Sequence, residues 1–195
     1  VLDDTYILNR KITTAMTTDR SPNVTFTEEQ KFSDLSTSAA TGSIHKIIGD
    51  DSDKFSTFYV EKKSGDVFEE TIAPNNLIRI DGATLPHKLV KNGTAFTLNK
   101  NTWTDRAVGD DDTNPNPKFI SKTLNGMFFF KSRFGLIADQ TVSFTESNKF
   151  DNFFRTTVTT TTDSEPIETD VTHTRISEIE HAIPGLLYTS PSPRD

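Results

Sequence analysis

The sequence predicts an all-β protein of short antiparallel strands, and three observations carry this prediction. Thr and Phe, which suit a pleated and half-buried surface, are abundant, and 15 of the 195 residues are Phe. Short apolar or alternating runs recur with Gly, Pro, Asn or Asp between them, as in a series of hairpins. No segment shows the sustained i, i+3, i+4, i+7 spacing of an amphipathic helix. Periodicity alone leaves open whether the strands form a sandwich or propeller blades.

Composition excludes several classes of function. The chain has no Cys, which excludes disulfide scaffolds, Cys-ligated zinc and thiol nucleophiles. Its 28 acidic and 21 basic residues give a net charge of -7, whereas a specific DNA-binding domain usually carries a basic stripe. No apolar run approaches the roughly 20 residues that a membrane-spanning helix needs. We therefore expect an acidic protein without a membrane span.

The first 100 residues contain the clearest hairpin signals. Residues 13–43 are rich in Thr, Ser and Asp, so we expect loops there, with a weak strand near residues 24–27. Two strand-like runs are joined by the turn-forming segment Lys-Ser-Gly, and two more flank the pair Asn92-Gly93. That pair suits a type I′ turn, because both central residues of the turn need a positive φ. The predicted hairpins are formed by residues 55–62 with 66–72 and by residues 87–91 with 94–98.

The apolar run Met-Phe-Phe-Phe at residues 127–130 predicts a central strand. Alternation places its side chains on both faces of the sheet, and a strand that is apolar on both faces must be covered on both. We therefore expect Phe129 to be buried. The segments predicted after it are strands at residues 134–138 and 141–145, a short helical turn within residues 147–154 and a Thr-rich edge strand at residues 156–162.

No set of residues points to catalysis or metal binding. The four His residues occur in neither an HExxH nor an HxH motif, and the chain has neither a GxSxG motif nor a glycine-rich phosphate loop. The segment that contains Asp110, Asp111, Asp112 and Asn114 resembles a calcium loop in composition. It lacks the Gly and Glu that an EF-hand requires, and side chains that bond the local backbone of consecutive turns explain it better. We expect no catalytic, cofactor-binding or metal-binding residues.

Seven segments, in order along the chain, resemble the tail nozzle family of short-tailed bacteriophages, the podovirus tail tubular protein B family. The most specific are residues 109–119 and 125–137, and the others are residues 6–10, 46–50, 147–154, 163–167 and 174–184. Asn116 is a departure, because family members often carry an aromatic residue there. By this resemblance we expect residues 1–185 to be a β-rich fragment of a nozzle subunit, incomplete at both ends and without an insert that some relatives carry within residues 13–43.

The resemblance implies a structural protein of the virion without enzymatic activity or cofactor. The family forms a homohexameric nozzle below the tail adaptor ring of tail tubular protein A, and it helps to hold the tail fibres. Its channel lets double-stranded DNA leave without sequence-specific binding. The resemblance also implies propeller-like β modules, synthesis in the cytoplasm of the host bacterium and a final location in the phage tail.

The acidic loop suggests a role in such a channel. Carboxylates that face the lumen would repel phosphates over about 8 Å, whereas Lys or Arg would hold them. We therefore hypothesise that Asp110, Asp111 and Asp112, with Asn114 in the same loop, lie at the channel wall or at a subunit junction. The alternative is that these residues cap turns on the outer surface.

Two other functions stay open at this point. A carbohydrate-binding β module needs an exposed aromatic platform, and Trp103 beside Asn101 and Asp105 is the candidate. A β-fold glycoside hydrolase needs two carboxylates about 5–10 Å apart in a groove. Residues 186–195 resemble the translation of a sequencing adapter, so we treat them as non-native and leave them out of the fold prediction.

Overall fold

The computed structural model describes residues 5–50, 52–171 and 178–183, and its regular structure is almost entirely β. Two short 3-10 helices, Phe32–Asp34 and Lys54–Ser56, are the helical elements among these residues. The strands are β1 (Thr5–Ile7), β2 (Phe26–Glu29), β3 (Ile44–Ile47), β4 (Phe58–Lys62), β5 (Phe68–Thr71), β6 (His87–Asn92), β7 (Ala95–Lys100), β8 (Gly126–Phe130), β9 (Arg133–Ala138), β10 (Thr141–Phe144) and β11 (Ile167–Asp170). The all-β prediction is confirmed.

The first sheet contains three antiparallel strands in the order β1-β6-β7. The predicted hairpin is present, but its turn lies one residue further on. Asn92 pairs with Ala95, so Gly93 and Thr94 form the loop. Gly93 has a φ of 62°, and neither Asn92 nor Thr94 has a positive φ, which fits a type II′ turn rather than the predicted type I′ turn.

The second sheet has the order β2-β3-β4-β5 and contains the one parallel pair among the described strands. The hairpin of β4 and β5 is confirmed. β2 begins at Phe26, two residues after the start of the weak strand that the sequence suggested. β2 and β3 run parallel, because the chain between them crosses back over the length of the strand instead of turning tightly.

The third sheet is an antiparallel sheet in the order β11-β10-β9-β8. The prediction that residues 127–130 form a central strand buried on both faces is wrong. β8 lies at the edge of the sheet, where it pairs only with β9, and Phe129 is 45% exposed. The interior strands are β9 and β10, and all six residues of β9 are buried. Gly135 on β9 leaves room for the ring of Phe128, because a Cβ atom there would lie 2.7 Å from that ring.

Two further predictions for the second half of the chain are wrong. Residues 147–154 form turns without a helix, and Asn148 has a φ of 63°, which a continuous right-handed helix does not allow. Residues 156–162 form an irregular loop instead of an edge strand. The backbone of this loop is held by side chains, among them Glu70 and Glu165, and not by a neighbouring strand.

The main hydrophobic core lies between the first and third sheets. Tyr6 of β1 stacks on Phe134 of β9 with ring centroids 4.9 Å apart. Trp103 packs against Phe134 and Phe153, with centroid distances of 6.1 and 5.5 Å. The buried members of this core are Ile80, Leu85, Trp103, Phe119, Leu124, Phe134, Leu136, Ala138, Phe153 and Phe154. The core therefore joins residues from both halves of the chain.

Candidate functional site

The acidic loop at residues 109–117 is anchored by the buried guanidinium group of Arg106. Its Nε and Nη2 atoms donate hydrogen bonds of 2.9 and 2.5 Å to the carbonyl oxygen of Leu77. Nη1 donates to the carbonyl oxygen of Asn114 at 3.0 Å and to the carboxylate of Asp111 at 2.8 Å. One buried cation therefore fixes the loop to the segment around Leu77.

Asp110 shapes the turn that carries the other two acids. Its Oδ1 atom accepts hydrogen bonds from the backbone N–H groups of Asp112 and Thr113, at 3.0 and 2.9 Å. The turn begins at Gly109, whose φ is 76°. A Cβ atom at that position would lie 2.7 Å from the hydroxyl of Thr113, so the tight turn requires glycine. Asp110 thus has the local backbone-capping role that its sequence context suggested.

Asn114 connects the acidic loop to the chain around Arg155. It is 2% exposed, and its Nδ2 atom donates to the carbonyl oxygens of Val108 and Arg155 at 3.0 and 3.1 Å. Its Oδ1 atom accepts from the backbone N–H of Arg155 at 3.0 Å. Of the four residues that the sequence singled out, Asp110 and Asn114 therefore hold the loop, while Asp111 and Asp112 are exposed.

Sequence reasoning missed a second network of buried charges. Arg133 is 8% exposed and donates to the carbonyl oxygens of Thr145 and Glu165, at 2.6 and 2.7 Å. Glu165 is 5% exposed, and its carboxylate accepts a 2.9 Å hydrogen bond from the backbone N–H of Thr156. The sequence does not distinguish Arg133 and Glu165 from charged residues on the surface. Their burial depends on contacts with segments that are distant in the sequence.

Glu70 fixes the loop at residues 157–159 to the second sheet. Its carboxylate accepts hydrogen bonds from the hydroxyls of Thr157 and Thr159 and from the backbone N–H of Val158. Burial raises the pKa of this carboxyl group, but the hydrogen bonds to its charged form outweigh burial and hold the pKa below its ordinary value of 4.5. Glu70 is therefore ionised at neutral pH and acts as a structural acceptor.

A cleft of about 680 Å³ contains the residues proposed for sugar binding. Trp103 is only 4% exposed, so the prediction of an exposed aromatic platform there is wrong. Arg79 binds two of the carboxylates that line the cleft: its Nη1 is 2.7 Å from Asp19, and its Nη2 is 2.6 Å from Asp105. This shared cation makes Asp19 and Asp105 part of a structural ion-pair network.

Among the described residues, no group of His, Cys, Asp and Glu side chains could hold a metal ion. None of the helices in that part of the chain has the length and apolar character needed to cross a membrane. The residues described above form loops that are held by buried charges.

Comparison with known proteins identifies the family. The bacteriophage nozzle protein family matches residues 19–186. The chain belongs to this family. It is also similar to the tail tubular protein gp12 of Escherichia phage T7, with 32% identity over 160 residues. That match covers 80% of this chain and 20% of the relative, so the chain spans about one fifth of the relative's length. The resemblance to tail nozzle proteins is therefore confirmed.

Proposed function

We propose that this chain is part of a subunit of a homohexameric tail nozzle through which double-stranded DNA leaves the particle. The family match over residues 19–186 carries this proposal. The subunit would be made in the host cytoplasm and would contact the adaptor ring and the tail fibres in the finished virion. The structural features support a scaffold role, because the polar groups of the acidic loop are used for anchoring.

We extend this proposal to the arrangement of the sheets. Each of the three sheets has three or four strands, which is about the size of a propeller blade. None of them closes on itself within the described residues. The three sheets would be modules of a propeller-like arrangement that other parts of the subunit complete.

Purification of the full-length protein that contains this chain tests the proposal. We expect native mass spectrometry to give the mass of six subunits and electron microscopy to show a sixfold ring with a central channel. Labelled antibodies against the chain should bind at the tail of intact particles. A protein that stays monomeric at high concentration and is absent from the tail would contradict the proposal.

The exposed carboxylates of Asp111 and Asp112 would face the channel or a subunit junction close to it. Asp111 has a side chain that is 72% exposed, although one of its oxygens binds Arg106. Six copies of each acid would form a ring of negative charge that lowers the attraction between protein and DNA phosphates. Such a ring would keep the DNA from sticking during ejection.

Replacement of Asp112 by Lys is expected to slow DNA ejection several-fold in otherwise normal particles. The six new cations would bind phosphates, so added salt should restore the rate. Asp163→Lys, which makes the same charge change at another exposed position, should leave the rate unchanged. The measurement is the release of DNA from purified virions, followed with a fluorescent dye. Equal rates for Asp112→Lys and the parent particle would exclude a channel role for this residue.

A further inference from the structure

One face of the first sheet is open, and its side chains are mostly apolar with basic residues around them. The strand register places Leu89 opposite Leu98 and Lys91 opposite Phe96. Phe96, Leu98 and Ile7 are 64%, 55% and 42% exposed. The opposite face carries Tyr6, which packs into the core. We call the open face the hairpin face, and its residues are Ile7, Leu89, Lys91, Phe96, Leu98 and Lys100.

The hairpin face has the composition of a protein interface and not of a solvated surface. It has an apolar centre with cations near its margin, whereas exposed apolar patches on monomers are usually small. Residues 87–100 contain three Lys and no acidic residue, although the whole chain has a net charge of -7. All six residues of β7 are exposed, and its outer edge is unpaired among the described strands. The face therefore fits an acidic protein surface.

A twofold contact between two hairpin faces is disfavoured by charge. Such a contact places the same patch of both copies together, so Lys91 and Lys100 of one copy would approach their counterparts. Like charges that face each other at an interface cost binding energy. The hairpin face therefore favours a different, acidic surface of the next copy, and repeated contacts of that kind can close into a ring.

The second sheet offers such a surface. Its register aligns Phe26, Ile44, Glu61 and Glu69 in one row across all four strands, with Glu28 two residues along on the same face. Phe26 is 40% exposed, and the side chains of Glu28 and Glu69 are 51% and 62% exposed. The 2.9 Å hydrogen bond from Lys46 to Glu28 raises the pKa of Lys46, and the charge of Asp110 adds a smaller effect of the same sign. Lys63 pairs with Glu61 at 2.7 Å, so the three carboxylates of this face meet two cations and keep one negative charge in excess. We call it the acidic face.

The segments that carry the two sheets also differ in charge. Residues 26–71, strands and connections together, contain ten acidic and five basic residues, whereas residues 87–100 contain three Lys and no acidic residue. We propose that the hairpin face of one subunit docks on the acidic face of the next, and that this head-to-tail contact links neighbouring copies. The inference rests on the proposed oligomeric nozzle and names the surfaces that would form it.

Thiol cross-linking tests this contact directly, with any Cys outside this chain first replaced by Ser, since the chain itself has none. In the full-length protein, Leu98→Cys combined with Glu69→Cys should give a ladder of linked subunits with a bifunctional thiol reagent. The matched control combines Leu98→Cys with Ile167→Cys, which lies on the third sheet and is 47% exposed. The control should give no ladder. Dimers with Leu98→Cys alone would indicate a twofold contact and overturn the proposal.

Charge reversal provides a second, independent measurement. Lys91→Glu with Lys100→Glu should weaken subunit association by roughly tenfold or more, and Glu28→Lys with Glu69→Lys should restore it. Lys131→Glu with Lys149→Glu makes the same charge change in turns beside the third sheet and should have little effect. Association is measured by sedimentation of the full-length protein.

The outcomes separate this inference from the proposed function. A hexamer that forms normally but shows neither the ladder nor the loss on charge reversal would overturn the docking proposal and leave the nozzle proposal intact. A full-length protein that never assembles would contradict both. Lys91→Glu with Lys100→Glu could instead abolish DNA binding without changing assembly. That result would identify the hairpin face as a nucleic-acid contact and would overturn the docking proposal.

Discussion

Truncation of Phe134 to Ala is expected to lower the free energy of unfolding by about 3–5 kcal/mol. Phe134 is 0% exposed and lies on the interior strand β9. Its ring contacts those of Tyr6 and Phe129, each with centroids 4.9 Å apart, and it also packs against Trp103. Removal of the ring leaves a cavity between the first and third sheets. Chemical unfolding followed by Trp fluorescence measures the loss, because Trp103 is the single Trp of the chain.

Phe129→Ala is the matched control. Phe129 is on the edge strand and is 45% exposed, so its truncation should cost only about 1–2 kcal/mol. The difference between the two variants tests whether the core lies under β9, as the structure shows, or under β8, as the sequence suggested. Equal losses for both variants, or a larger loss for Phe129→Ala, would contradict the assignment of β9 as the buried interior strand.

This pair of residues also shows which part of the fold the sequence can predict. The hairpins β6–β7 and β4–β5 follow from local turn residues and alternation, so they could be predicted. The order of strands in a sheet depends on contacts between distant segments. The run of three Phe residues at positions 128–130 marks an apolar segment, but it does not say that β9 takes an interior place. Gly135, which makes room for the ring of Phe128, gives no such signal in the sequence.

The candidate site divides in the same way. The role of Asp110 could be predicted, because an Asp followed by Asp, Asp and Thr caps a tight turn through bonds to its own neighbours. The role of Glu70 could not, because its partners lie 87 to 89 residues further along the chain. The buried Oδ1 atom of Asn116 has no hydrogen-bond partner among the described residues, which no sequence pattern indicated.

The family could be recognised from the sequence, although the sequence contains no recognisable active-site motif. Seven short segments in the correct order are a specific pattern even though none has a catalytic meaning alone. The structure gives part of their physical basis: the segment at residues 109–119 contains the anchored acidic loop, and that at residues 125–137 contains β8 and most of β9.

Replacement of Arg106 by Leu is expected to destabilise the protein by about 3–5 kcal/mol, because two backbone carbonyl oxygens lose their donor and a buried side chain is shortened. The side chain of Arg106 is 0% exposed and lies over the ring of Phe154, 5.8 Å from its centroid. Leu fills part of the volume but leaves the carbonyl oxygens of Leu77 and Asn114 without their donor. Those buried acceptors then lose their hydrogen bonds, and the acidic loop loses its anchor.

Two further variants separate the buried hydrogen bonds from the ion pair at this position. Asp111→Asn takes the carboxylate from a buried guanidinium that keeps its bonds to two carbonyl oxygens, so it should cost about 1–2 kcal/mol, less than Arg106→Leu. Arg106→Lys keeps the charge but cannot reach both carbonyl oxygens in the planar geometry of a guanidinium, so we expect a loss between those of the other two variants. Unfolding in urea, with equal slopes for all variants, measures the three losses. If Asp111→Asn were as damaging as Arg106→Leu, the ion pair and not the carbonyl contacts would hold the loop, and the anchoring role assigned to the buried hydrogen bonds would be wrong.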